Sequence, residues 1–305
     1  MTDVVLTPAA DQERLIRLAT YASVATATVL IVAKLAAWIA TGSISVLASL
    51  VDSLLDAGAS VTNMLAVRYA LKPPDADHRF GHGKAESLSG LAQAMFVAGS
   101  ALFLVLESVS RINTPRPVEH IGVGLGVFGF ATLVTLMLVL FQRYVIQRTR
   151  STAIRADALH YATDLLTATG VIIALMLSWT FGLNQADAWF ALAIAVFILY
   201  SAWQIGRDAL HVLMDREMPE AHRQQIVDLA LRHPAVLGIH DLRTRQSGAM
   251  VIIQFHLDLD GQQSLFAAHA VADEVEMRIR EVFPNADITI HQDPIKVGEE
   301  PAGIR

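Results

Sequence analysis

Cysteine is absent from this chain of 305 residues, which excludes a disulfide framework and any thiolate metal site. Charge is scarce too: Asp, Glu, Lys and Arg make up 17% of the residues, against about 25% in an ordinary soluble domain. There is no block of Lys and Arg, and the net charge is −6, so nothing supplies the basic footprint of a nucleic-acid partner. The HExxH pattern is missing, which removes the zinc-metalloprotease reading and leaves no other catalytic signature. The opening MTDVVLTPAADQERLIRLAT lacks a basic n-region and a short apolar core before a small-residue cleavage site, so no cleavable signal is expected.

What is present is apolar. Hydrophobic residues account for 53% of the chain and the mean hydropathy is +0.45. Six runs, at roughly 15–40, 44–70, 86–110, 118–142, 153–180 and 186–210, come near the roughly 20 residues that cross a bilayer. Polar or Gly/Pro-rich breaks separate them, among them LKPPDADHRFGHGK and QRTRSTAIR. The expected fold class is therefore a polytopic α-helical membrane protein with six transmembrane helices. Arg and Lys gather ahead of span one, between spans two and three, between four and five, and after six. The positive-inside rule then puts both termini in the cytoplasm. Gly122 and Gly126 form a GxxxG pair of the kind that lets membrane helices approach closely.

Beyond about residue 213 the pattern changes. Helical spacing in PEAHRQQIVDLALRHPAV is followed by alternation in LGIHDLRTRQ and MVIIQFHLDLD, joined at Ser247-Gly248. An amphipathic helix, SLFAAHAVADEVEMRIREVF, and a short strand, ADITIHQD, complete an α-β-β-α-β order. That order predicts a small C-terminal α+β domain with helices on one face of its sheet. The expected division is a transmembrane domain over 1–212, a second domain over 213–293 and a flexible tail over 294–305.

Three clusters carry chemistry. Within LVDSLLDAGAS, Asp52 and Asp56 stand four residues apart on one face of span two, and within RADALHYATDLL, His160 and Asp164 do the same on span five. An ionised Asp at the centre of a span costs about 2.5–3.5 kcal/mol, and two that close repel unless a cation or proton lies between them. Together the four supply the number and type of ligand a tetrahedral Zn²⁺ accepts. Asp157, one turn before His160, is expected at an entrance or helix terminus, and Lys34 in span one can snorkel or pair with an acid.

In the loop DADHRFGHG, Asp75, His78 and His82 have ligand-like spacing, with glycines that let the backbone fold around an ion. In the C-terminal domain, alternation places His256 with Gln254 and Asp258 on the face opposite Val251, Ile253, Phe255, Leu257 and Leu259. His291 and Asp293 likewise oppose Ile288 and Ile290, while His240 opens the first strand and His269 lies on the second helix. These five are candidate ligands for one or two metal ions. His222 and His233 read as solvated surface.

Taken together, LVDSLLDAGAS, HRFGHGKAESLSGLAQ, RADALHYATDLL and HDLRTRQSG resemble the cation diffusion facilitator family, and within it the bacterial zinc/ferrous-iron efflux branch, over nearly the whole chain. The resemblance implies a homodimer in the bacterial inner membrane with a metallochaperone-like (ferredoxin-like) cytoplasmic domain. The implied activity is secondary transport, not enzymatic: export of Zn²⁺, with Cd²⁺ or Fe²⁺ as other cargo, driven by inward H⁺. It further implies a transport site at Asp52, Asp56, His160 and Asp164, a loop site at Asp75, His78 and His82, and a binuclear site drawing on His240, His256, His269, His291 and Asp293. Finally, it implies an interlock between Lys84 and Asp215. A passive divalent-cation channel and a membrane metal sensor are the alternatives from other classes.

Overall fold

The computed structural model describes residues 9–42, 44–113, 125–181, 186–248 and 250–295. Gly122 of the GxxxG pair and the segment after Ile295 lie outside them. The chain forms two compact units: one of residues up to 72 and 85–210, the other of 73–84 and 211 onward. The loop with the candidate ligands Asp75, His78 and His82 thus belongs to the second unit.

The first unit holds six long helices among the described residues: α1 (Ala9–Thr41), α2 (Ile44–Ala70), α3 (Lys84–Asn113), α4 (Leu125–Thr149), α5 (Thr152–Phe181) and α6 (Ala186–Leu213). Five of them are long and apolar enough to cross a membrane. The remaining one, α5, carries Arg155, Asp157, His160 and Asp164 in its first half. The fourth span was expected over 118–142; the described helix starts at Leu125 and continues to Thr149, because polar Gln142, Arg143 and Arg148 prolong it without a breaker. Positive φ closes two of these helices: Gly42 (φ 63) ends α1 and Arg150 (φ 53) ends α4. The Ser151 hydroxyl then caps α5 by accepting from the N–H of Ile154 at 3.2 Å.

Small and branched side chains knit the helices. Ile16 and Ala19 of α1 meet Val67, Val145, Ala153 and Ile154 of α2, α4 and α5, and Val97 and Ala101 of α3 meet Ile198 and Ala202 of α6. The outward surface is apolar instead: Phe103 and Trp203 are 71% and 68% exposed. An apolar surface of that extent is a liability in water and an asset in lipid.

At the centre lies Asp157, with 0% exposure. Its carboxylate accepts from Ser23 Oγ of α1 at 2.5 Å, Gln142 Nε2 of α4 at 2.7 Å and Gln93 Nε2 of α3 at 3.0 Å. Gln142 Nε2 also reaches Ser23 Oγ at 3.0 Å. Asp157 therefore lines no entrance; it ties four helices to one carboxylate.

The second unit adds α7 (Glu220–Leu231), β1 (Gly238–Ser247), β2 (Met250–Asp260), α8 (Leu265–Val282) and β3 (Ala286–Ile295), the α-β-β-α-β order read from the sequence. The sheet runs β1-β2-β3. β1 is antiparallel to β2, with an irregularity between His240 and Arg243, and β3 is parallel to β2. The parallel pair needs a crossover, which α8 provides; Ser264 caps α8 by accepting from the N–H of Ala267 at 3.2 Å. Ile226 and Ala230 of α7 and Val275 and Ile279 of α8 bury Ile253, Phe255 and Leu257 on one face of the sheet. Each such side chain contributes about 1.5–3 kcal/mol. His233 is buried, not solvated, with Nε2 3.1 Å from Glu274 Oε2.

Replacing Asp157 by Ala removes the acceptor shared by Ser23, Gln93 and Gln142. Stranding hydrogen-bonding groups away from water costs about 1–3 kcal/mol each. Asp157→Ala should therefore lower the heat-denaturation midpoint of the detergent-solubilised protein by several degrees, corresponding to a loss of about 2–5 kcal/mol. A midpoint equal to that of the wild type would mean the cluster does not hold the helices together.

Candidate metal centres

Helix α2 brings Asp56 to α5, where His160 Nε2 lies 3.0 Å from Asp56 Oδ1. Asp164 joins them: each of Asp56, His160 and Asp164 offers one ligand atom within 4.8 Å of the others. His160 is buried, and its ring contacts Phe96 of α3 and Tyr161 edge-on or tilted, at centroid distances of 6.0 and 5.4 Å. The Tyr161 hydroxyl is hydrogen-bonded to Ser60 Oγ of α2 at 2.8 Å, beside the same helix crossing. Asp52 is not in the group. Its position is one helical turn, about 6 Å, along the axis from Asp56, and α2 meets His160 and Asp164 at Asp56. The structure thus assembles three of the four expected ligands and leaves Asp52 exposed nearby.

In the loop, Asp75 Oδ1 accepts from the backbone N–H of His78 at 2.7 Å and of Asp77 at 3.0 Å. The remaining oxygen, Oδ2, stands 3.2 Å from His82 Nε2, and His78 Nδ1 is 3.4 Å from Oδ1. All three expected residues converge. The N–H of His78, foremost, and then that of Asp77 and the two imidazoles hold the Asp75 carboxyl below the usual carboxylate range, against an opposing effect of burial. A carboxylate that stays ionised and imidazoles at this distance are a fitting donor set for a divalent ion.

The loop is held by its surroundings in the second unit. A Cβ on Gly83 would fall 2.3 Å from the carbonyl oxygen of Ser247, so only glycine permits that approach. The Arg245 guanidinium sits 5.0 Å above the Phe80 ring, a cation–π contact. Lys84 Nζ is 2.8 Å from Asp215 Oδ1, and Arg245 Nη1 is 3.3 Å from Asp215 Oδ2. The expected Lys84–Asp215 pair is therefore joined by a third member, Arg245, which the sequence reading did not include. Burial acts to raise the Asp215 carboxyl, but Lys84 and then Arg245 outweigh it and hold the group below its ordinary value.

On the sheet, register builds the third group. His240 pairs with His256 across β1–β2, and His256 pairs with His291 across β2–β3, so three imidazoles form one row. Their neighbouring centroids are 5.0 and 4.6 Å apart. Asp293 reaches all three: Oδ2 lies 2.7 Å from His256 Nδ1 and 3.3 Å from His240 Nε2, and Oδ1 lies 3.2 Å from His291 Nε2. Asp258, two residues after His256 on the same face, is 2% exposed, and its Oδ2 has no hydrogen-bond partner among the described residues. Its Oδ1 is 3.3 Å from His240 Nδ1. An orphaned buried oxygen beside imidazole nitrogens fits a metal donor set, and the H-x-D alternation was its sequence signal.

His269 stays apart. It is exposed, 3.6 Å from Asp273, and with Leu265, Phe266 and Gln292 it lines a surface cavity. The reason is topological: α8 covers the apolar face of the sheet, whereas strand alternation puts His256 and His291 on the other.

Asp215→Asn tests the Lys84–Asp215–Arg245 group, since Asn tolerates the positive φ of 55° found there. Because the folded carboxyl lies below its ordinary value of 3.8, its contribution is complete above that pH and is lost as pH falls through the folded value. The stability advantage of the wild type over Asp215→Asn should hold from neutral pH to about 4 and shrink below it, as read from denaturation midpoints across pH. An advantage that is flat into strong acid would contradict the ion-pair account.

Two family models match the chain. The cation efflux transmembrane domain covers residues 20–214 and the cytoplasmic domain of cation efflux proteins covers 210–295. Among curated relatives, the cation-efflux pump FieF of Salmonella choleraesuis (strain SC-B67) and that of Salmonella newport (strain SL254) are each 51% identical over 284 residues. Each alignment spans 93% of this chain and 94% of the relative. A solved structure of the transporter CzrB in its zinc form shares 31% identity over 26% of this chain and 92% of its own, with a TM-score of 0.25.

Proposed function

This chain belongs to the cation efflux family, and from that premise we propose that it exports divalent metal ions, Zn²⁺ foremost, in exchange for protons. Cd²⁺ and Fe²⁺ fit the same nitrogen and oxygen donors. The observation that carries the reading is the convergence of Asp56, His160 and Asp164 from α2 and α5. Ionisable groups inside a span are costly, so a cluster left without the donors that satisfy Asp157 marks an ion path.

Binding requires the neutral imidazole and ionised carboxylates, so a cation entering from the cytoplasm displaces protons, and protons returning from outside release it. Histidine ordinarily titrates near 6.5, within reach of physiological gradients. Moving one charge across 100 mV is worth about 2.3 kcal/mol, so exporting a dication against an inside-negative potential costs about 4.6 and two returning protons cancel it. With no thiolate in the chain, the site has only nitrogen and oxygen donors, which suits a site that must release its cargo. Asp52, one turn along α2, stands where it can take part as the cation arrives or leaves.

The protein works as a homodimer in the bacterial inner membrane with both termini in the cytoplasm. Ions held at Asp75, His78 and His82 and at the His240, His256, His291 and Asp293 row, with Asp258, act on its conformation, while Lys84 and Asp215 form an ion-paired interlock. This is regulation by differential binding to two states.

Zinc flux into proteoliposomes is expected to depend on an imposed pH gradient and to be abolished by Asp56→Ala. Flux that is linear in zinc and indifferent to the pH gradient would make the protein a channel. Transport that survives Asp56→Ala would move the ion path elsewhere and leave the membrane acids without their assigned part. His240→Ala/His291→Ala should retain the path but lose metal-dependent activation.

A further inference from the structure

Between Arg17 and Arg68 the sequence contains one basic side chain, Lys34. It lies within α1, half-buried, and its ammonium crosses to α2, where it donates to the carbonyl oxygen of Ser49 at 3.1 Å and to Ser53 Oγ at 2.6 Å. Ser53 is itself buried and stands between Asp52 and Asp56 in the chain. Asp56 in turn belongs to the group that it forms with His160 and Asp164. A lysine ammonium is thus anchored to the helix that carries Asp52 and Asp56.

We infer that Lys34 is the built-in counter-charge of the transport site, setting its charge balance for a divalent cation and keeping its affinity low enough for release. The inference rests on reading Asp56, His160 and Asp164, joined by Asp52 when the cation is held, as that site. Once Asp52 joins from one turn along α2, the carboxylates of Asp52, Asp56 and Asp164 and a neutral imidazole sum to −3; a dication brings the site to −1, and Lys34 brings it to zero. An uncompensated charge in hydrocarbon is expensive, so the neutral sum favours a dication over a monovalent ion, which would leave −1. The same ammonium repels the bound dication. Without that repulsion, the carboxylates would hold the metal more tightly and turn over more slowly. The two hydrogen bonds to α2 use two of the three ammonium donors and keep the group beside the site without making it a ligand.

The test is zinc transport in proteoliposomes by the full chain. Lys34→Gln should lower KM for zinc by at least about tenfold, since a unit charge within about 10 Å of a dication at an effective protein dielectric of about 20 is worth more than a tenfold change, and lower kcat with it. Lys34→Arg should stay near the wild type in both. Because the natural chain has no cysteine, Lys34→Cys can be modified at a single place. It should show the low KM, and aminoethyl methanethiosulfonate, which restores the positive charge, should raise KM and kcat again. A structural brace alone would not respond to charge restored on the same folded protein. A KM that is unchanged or raised in both neutral variants, or that is unmoved by the aminoethyl reagent, would overturn the counter-charge. Asp56→Ala run alongside separates the two levels: if it still transports, the site itself is misassigned.

Discussion

An ionised carboxylate in hydrocarbon has no water to solvate it, so the protein must supply what water would. The first unit solves that problem twice within two turns of α5. At Asp157 the solution is complete: Ser23, Gln93 and Gln142 donate from three other helices to both oxygens, and the group is sealed off. At Asp164 and Asp56 the partners are each other and His160. Three groups that all accept, apart from one imidazole proton, satisfy one another poorly. The first arrangement is fixed and holds helices together. The second is open to a cation, and the difference lies in the neighbours, not in the aspartates.

Much of this was legible in the residues. Apolar runs gave the six helices, because a bilayer leaves few alternatives to a helix of about 20 residues. Alternation gave the strands and the face of His256, because the period of two is a local property. Pairs four residues apart gave the acidic faces of α2 and α5. What was not legible depended on where elements cross. Spacing says that Asp52 and Asp56 share a face but not which of them stands at the crossing with α5. Nor does it say that α8 lies on the far side of the sheet from the histidine row, which is why His269 stays apart. Asp157 looked like a terminal residue because the donors that bury it come from three distant parts of the chain.

Register supplied the rest in the second unit. His240, His256 and His291 are spread over fifty residues, and no local pattern links the first to the last. One antiparallel pairing and one parallel pairing put them in a row, and Asp293, two residues past His291, then falls within reach of all three. Asp258 enters by the same alternation, which makes it the partner most readily overlooked: it occupies a strand position that also reads as one more polar residue on an outward face. The loop over 73–84 is organised differently, by an Asp75 carboxylate that gathers backbone N–H groups and by a glycine that lets the chain pass against Ser247. One group is built on rigid strands, the other on a turn whose geometry depends on a single carboxylate.

Rigidity and strength of binding pull against each other in a site meant for passage. A ligand set that is fully formed and negatively charged holds a dication well and releases it slowly. The intramembrane group avoids that outcome by composition: its donors are nitrogen and oxygen, only three of them meet, Asp52 stands one turn away, and an ammonium fixed to Ser49 and Ser53 offsets one negative charge. Each feature weakens the hold on the cation relative to a closed tetrahedral site, which is the direction a transporter requires. The sheet group has the opposite character, with an aspartate bridging three imidazoles and a second, buried one behind them. The two donor sets thus differ in how completely each is assembled before any ion arrives.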